Sequence, residues 1–152
     1  MQLFYIIIIM KQEHWQSTTG YVYNINYHIV YSTKYRREVL TGEIAEAMKE
    51  INMKLAEDNV FILRAQEIMP DHVHLFITAH PKWSPSQVVK IMKGGSARML
   101  FLRYPGLRKG LWRGHLWNPS YYVGTVVDIK KEVVEEYIAM QKVKDYRNSE
   151  DD

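Results

Sequence analysis

The chain has 152 residues, 47% of them hydrophobic, which suits one globular domain. It contains no cysteine, which excludes disulfides, thiolate metal sites and cysteine nucleophiles. The formal charge of +3 is modest but unevenly spread, because all 17 acids lie outside the stretch from His72 to Val127. That stretch carries Lys82, Lys90, Lys93, Arg98, Arg103, Arg108, Lys109 and Arg113, a distribution that points to a polyanion partner, nucleic acid first.

The opening MQLFYIIIIM is too short to span a bilayer, which takes about 20 apolar residues, and no basic leader or cleavage site flanks it. Residues 1–15 read as an N-terminal extension, with residues 1–9 arising from a mis-chosen start codon. The expected location is cytoplasmic. From Tyr21 to Tyr31 the pattern alternates: Tyr23, Ile25, Tyr27, Ile29 and Tyr31 share one face, and Asn24, Asn26 and His28 the other. This is a half-buried strand. A basic connection, STKYRREVLTG, follows. Glu43 to Asp58 has Ile44, Met48, Ile51 and Leu55 at helical spacing, with acids in its first turn and Asn59 as its close. Val60 to Met69 predicts a strand, Pro70-Asp71 a tight turn, and His72 to Ala79 the hairpin partner.

Ser84 can cap a second helix with Pro85 at its first position and Val88, Ile91, Met99 and Leu102 on its apolar face. Gly94 and Gly95 interrupt it at a cost of about 1 kcal/mol each, which signals a close backbone approach or a break. Pro105 to Gly114 predicts a loop, Tyr121 to Val126 a short strand, and Asp128 to about Lys142 a last helix. The order β-α-β-β-α-β plus a helix is the ferredoxin-like (RRM-like) α+β pattern, an antiparallel sheet with two helices on one face. Residues 16–145 would form this single domain and residues 146–152 a frayed acidic tail.

In the strand PDHVHLFIT, successive side chains point to opposite faces, so His72, His74, Phe76 and Thr78 share one side and Val73, Leu75, Ile77 and Ala79 the other. In this topology the histidines lie on the sheet face that the first two helices leave uncovered. On the last helix Val134, Tyr137, Ile138 and Gln141 recur at i, i+3, i+4 and i+7, which sets Tyr137 one turn from Gln141. Taken singly, a His-x-His strand or a Tyr-x-x-x-Gln helix face is more often structural than chemical.

The ordered set resembles the single-tyrosine HUH transposases, enzymes of insertion sequences that move as single-stranded DNA. The likeness rests on NYHIVYSTKYRREVL, MPDHVHLFI, KIMKGGSAR and LWNPSYYVGTV followed by YIAMQ, and runs from about Gly20 to Gln141. The resemblance implies Tyr137 as nucleophile and His72, His74 and Gln141 as ligands of a divalent ion, Mg²⁺ or Mn²⁺. It also implies cleavage and rejoining of single strands at hairpin-bearing element ends through a covalent 5′-phosphotyrosine, by a homodimer whose subunits share active sites. Two imidazoles and an amide oxygen would leave coordination positions for a phosphate oxygen.

Lys34, Arg36 and Arg37 suit phosphate contacts, with Tyr35 available to stack on a base. Lys90, Lys93 and Arg98 are further phosphate candidates, and Ser96 adds a hydroxyl. Trp112 and Trp117 are candidates for stacking on unpaired bases. His28 is read as a plain polar residue, with a supporting role behind the histidine pair as the alternative. Where the family has glycine ahead of the tyrosine helix, this chain has Val127. The rival readings are a domesticated hairpin-cutting relative, a non-enzymatic RRM-like nucleic-acid binder with an open sheet face, and a metal phosphoesterase that uses water and forms no adduct.

Overall fold

The computed structural model describes residues 16–18, 20–111 and 114–126. The expectations for residues 1–15, Trp112, Arg113, Val127, the last helix with Tyr137 and Gln141, and the acidic tail lie outside the described residues.

A short hairpin pairs β1 (Gln16–Ser17) with β2 (Val22–Tyr23). The main elements follow: β3 (Asn26–Ser32), α1 (Gly42–Asp58), β4 (Ile62–Ile68), β5 (His72–Thr78), α2 (Pro85–Arg103), α3 (Pro105–Lys109) and β6 (Tyr122–Thr125). The four long strands form one antiparallel sheet in the order β4-β5-β3-β6. β3 and β5 are therefore central, and the sheet is the ferredoxin-like one that the element order predicts.

One face of that sheet carries the apolar core. Tyr27, Ile29 and Tyr31 of β3 and Val73, Leu75 and Ile77 of β5 pack with Met48, Ile51 and Leu55 of α1 and Val88, Met92 and Leu100 of α2. The 3.6-residue period of the helices and the two-residue period of the strands bring these positions to one layer. The opposite face is polar yet not open: Asn26, His28, His72, His74 and Thr78 are all buried, with Phe76 among them. The polar groups are bonded to one another, as burial requires. Thr78 Oγ1 donates to Asn26 Oδ1 at 2.6 Å, and Arg64 Nε donates to Thr78 Oγ1 at 3.0 Å.

Several boundaries differ from the pattern. The long first strand is broken at Asn24–Ile25, where Asn26 Nδ2 donates to Asn24 Oδ1 at 2.6 Å, so only its second half joins the main sheet. Asn59 closes α1 as expected, its amide donating to the Leu55 carbonyl at 2.8 Å. Val60 then adopts φ 59°, a left-handed turn that postpones β4 to Ile62. Residues 105–109 are helical rather than loop, with Pro105 at the first helical position where its fixed φ is favourable. Ser84 caps α2 in a full capping box with Gln87.

The paired glycines do not break α2. A Cβ on Gly95 would stand 2.6 Å from Leu55 Cδ2 of α1, whereas one on Gly94 would meet nothing within 4 Å. Gly95 is therefore the close approach between the two core helices, and Gly94 is not. Gly94→Ala should raise unfolding stability by about 1 kcal/mol through helix propensity. Gly95→Ala should fall short of that variant by at least about 1 kcal/mol, because overpacking offsets the gain. Urea melts of both variants check the pair.

Candidate metal and nucleic-acid site

The site is built from the polar face of β5 and the segments at its His72 end. His72 lies opposite Ser32, His74 opposite Val30 and Phe76 opposite His28 in the β3–β5 register. The rings of His72 and His74 are 5.1 Å apart between centroids, set edge-on at 73°. Each ring is held through Nδ1. His72 Nδ1 donates to Asp71 Oδ1 at 2.6 Å, and His74 Nδ1 lies 3.1 Å from His28 Nε2. Engagement of one ring nitrogen sets which tautomer an imidazole adopts, and here it leaves Nε2 as the nitrogen of each ring that could take a ligand role.

Asp71, read from sequence only as part of a turn, connects the histidines to the basic connection. Its Oδ2 accepts from Arg36 Nε at 2.9 Å. Partial burial alone would raise the Asp71 pKa, but the hydrogen bonds from His72 and Arg36 and the Arg36 charge outweigh it and hold the carboxyl below its usual range. His28 is also more than a plain polar residue. It is buried, its ring lies 4.5 Å from Phe76 at 8°, and burial followed by the neighbouring His74 lowers its pKa to about 4. A lowered pKa favours the uncharged ring, which can accept a hydrogen bond. The strand register that brings His28 to His74 cannot be read from either strand alone, whereas Asp71, adjacent to His72, was in plain view.

Beside His72 lies a cleft of about 290 Å³, lined by Ser32 and Arg36 on one side and by Ser120, Tyr121 and Tyr122 on the other. Tyr121 and Tyr122 are exposed aromatics at this cleft. The basic connection adds Lys34, Tyr35, Arg36 and Arg37. Tyr35 and Arg36 have φ values of 58° and 50°, a left-handed pair without glycine that leaves Tyr35 well exposed. Lys34 Nζ sits 5.6 Å from the Tyr35 ring centre. Arg37 Nη1 is already tied to the Gly110 carbonyl at 2.6 Å.

The α2 candidates divide. Lys90 and Arg98 are exposed and open to phosphate. Lys93 and Ser96 are engaged within the fold. Lys93 Nζ donates to the carbonyls of Asn118, Pro119 and Ser120 at 2.6, 3.3 and 3.2 Å. Ser96 is fully buried and accepts from Trp117 Nε1 at 3.1 Å. Trp117 is itself buried, edge-on to Tyr31 at 4.6 Å, so it is a core residue and not a base-stacking platform. Lys93 thus fixes the segment that leads into Tyr121 and Tyr122.

The donor set suits a divalent ion as far as it extends: two neutral imidazoles, each oriented by a hydrogen bond, beside a cleft with a guanidinium. Among the described residues no group of three or more His, Asp or Glu is disposed to hold a metal ion.

A ferredoxin-like sheet with a histidine pair on a central strand, edged by basic and aromatic residues, defines a nucleic-acid enzyme of the HUH type. Residues 21–141 match the family model of IS200-like transposases, and the chain belongs to that family. The ISDra2 transposase TnpA of Deinococcus radiodurans is 43% identical over 126 residues, which covers 83% of this chain and 90% of that protein. The transposase for insertion sequence element IS200 of Salmonella typhimurium is 39% identical over 105 residues, 68% of each chain. A crystal structure of a transposase from Deinococcus radiodurans R1 superposes with a TM-score of 0.69 at 42% identity, covering 83% of this chain and 97% of that one. A REP-associated tyrosine transposase bound to a REP hairpin shares the fold, with a TM-score of 0.55 at 16% identity. The chain is accordingly a transposase, an enzyme that cuts and transfers DNA strands, and the non-enzymatic binder is set aside.

The two α2 lysines should separate in solution. Lys93→Met should lower unfolding stability by about 1 kcal/mol, as the carbonyls lose a charged donor. Lys90→Met should leave stability unchanged and flatten the log–log salt dependence of single-strand binding by about 0.7. Melts and salt titrations read the two effects independently.

Proposed function

We propose that this transposase nicks and rejoins single-stranded DNA at hairpin-bearing element ends, with Tyr137 as nucleophile and His72, His74 and Gln141 as ligands of Mg²⁺ or Mn²⁺. The observation that carries the reading is the histidine pair, both Nδ1 atoms engaged, with His72 lining a cleft edged by Arg36 and two exposed tyrosines. Family membership supports the nucleophile, because the matched region extends to Gln141 and so includes Tyr137.

Bound by this set, a divalent ion supplies positive charge against a non-bridging phosphate oxygen. Everything else is the work of the chain. Asp71 and His28 hold the two imidazoles in orientation. Lys34, Arg36, Lys90 and Arg98 lie where a strand's phosphates can be neutralised, and Tyr35 can stack on a base. The Tyr137 oxygen forms a bond to phosphorus as the bond to the 3′-oxygen breaks. The phenol loses its proton and the leaving 3′-oxygen gains one. A 3′-OH can reverse the exchange without ATP, because the phosphotyrosine ester conserves the phosphodiester's bond energy. The resemblance further supports a homodimer acting in the cytoplasm, each site combining one subunit's histidines with its partner's tyrosine helix. No helix among the described residues is long and apolar enough to cross a membrane.

A hairpin oligonucleotide with a single-stranded flank, cut from the DNA beside the gene, tests the proposal. The wild-type protein should give a covalent protein–DNA band that EDTA suppresses. Tyr137→Phe should bind the hairpin normally and give no band. Mixing it with the His72→Ala/His74→Ala protein should restore part of the cleavage once subunits exchange. An adduct that survives in Tyr137→Phe would reject the nucleophile, and undiminished cleavage in EDTA would reject the metal.

A further inference from the structure

We infer that His28 is the positioning residue of the metal pair: its Nε2 accepts a hydrogen bond from His74 Nδ1–H and so aims His74 Nε2 at the ion. The inference rests on the metal reading above and adds to it a role for a residue on a different strand.

Three observations carry it. His28 and His74 are diagonal neighbours across the two central strands, because His28 faces Phe76 and His74 faces Val30 in the same ladder. The nitrogens concerned are 3.1 Å apart, and the two ring planes lie within 11° of parallel. The His28 ring is clamped in turn, lying almost flat against Phe76 at 4.5 Å and meeting Tyr122 edge-on at 5.7 Å. His28 is 3% exposed, too buried to rotate for another task.

The two metal imidazoles are thereby held by different means. A carboxylate that also binds Arg36 holds His72, whereas a ring packed in the aromatic layer holds His74. Among the described residues, Asp71 links His72 to the loop that carries Lys34, Tyr35 and Arg36. Tyr122 touches His28 and also lines the cleft, which links the aromatic wall of the cleft to the His74 support.

The test uses full-length protein and Mn²⁺ alone, with free Mn²⁺ read by its paramagnetic resonance signal. His28→Phe keeps a planar ring but offers no acceptor, and His28→Gln returns an acceptor near the position of Nε2. His28→Phe should weaken Mn²⁺ binding about 10- to 100-fold. His28→Gln should recover a measurable part of that loss, at equal thermal stability of the two variants. Unchanged affinity in His28→Phe, or equal losses in both folded variants, would overturn the role. Nitrogen-15 spectra of the histidines of the wild-type protein, before metal is added, give an answer that needs no variant to fold. They should show His74 protonated at Nδ1 and His28 unprotonated at Nε2. The opposite tautomers would overturn the assignment, even if wild-type protein binds no Mn²⁺ and the metal reading itself fails.

Discussion

The two-residue period of β5 is the constraint on which the rest depends. Val73, Leu75 and Ile77 must enter the layer under α1 and α2, and each of them is completely buried. Once they do, His72, His74 and Phe76 have no choice but the other face. A slip of one residue in the β3–β5 ladder would bury imidazoles among leucines and destroy core and site together. The core thus sets the position of the histidines to within the tolerance of a packed sheet, and the site inherits the rigidity of two central strands rather than of a loop.

Around that pair the fold places groups of differing exposure. Asp71 and His28 fix the rings from opposite ends, and Lys93 pins the segment before Tyr121 through three carbonyls. Exposed groups lie outside this frame, with Tyr35 raised on a left-handed turn. Two consecutive non-glycine residues with positive φ are strained, and strain of this kind persists where surrounding structure enforces it. The Thr33 hydroxyl supplies part of that enforcement by donating to the Arg37 carbonyl at 2.7 Å, across the base of the turn.

The parts legible in the sequence were those governed by local period and by motif order. Alternation fixed the face of each β5 side chain, helical spacing located α1, and Ser84-Pro85 marked the start of α2 within a residue. What was not legible depended on register or depth. The buried Ser96 and the half-buried Lys93 look like DNA contacts in a basic segment because sequence shows charge and not which carbonyls lie nearby. Trp117 looks like a stacking residue until Tyr31 and Ser96 close around it. His28 was underrated for the complementary reason, since its partner stands 46 residues away. In each case tertiary contact decided the role, and the composition of the segment did not.

The central claim is that the histidine face of the sheet holds a metal ion over a DNA phosphate. Anomalous scattering from Mn²⁺, in crystals of the protein with a hairpin carrying a single-stranded flank, addresses it most directly. That claim predicts one peak within coordinating distance of Nε2 of both His72 and His74, with a phosphate oxygen as a further ligand. A peak on the Asp71 carboxylate instead, or none at the histidines with DNA bound in the cleft, would contradict it.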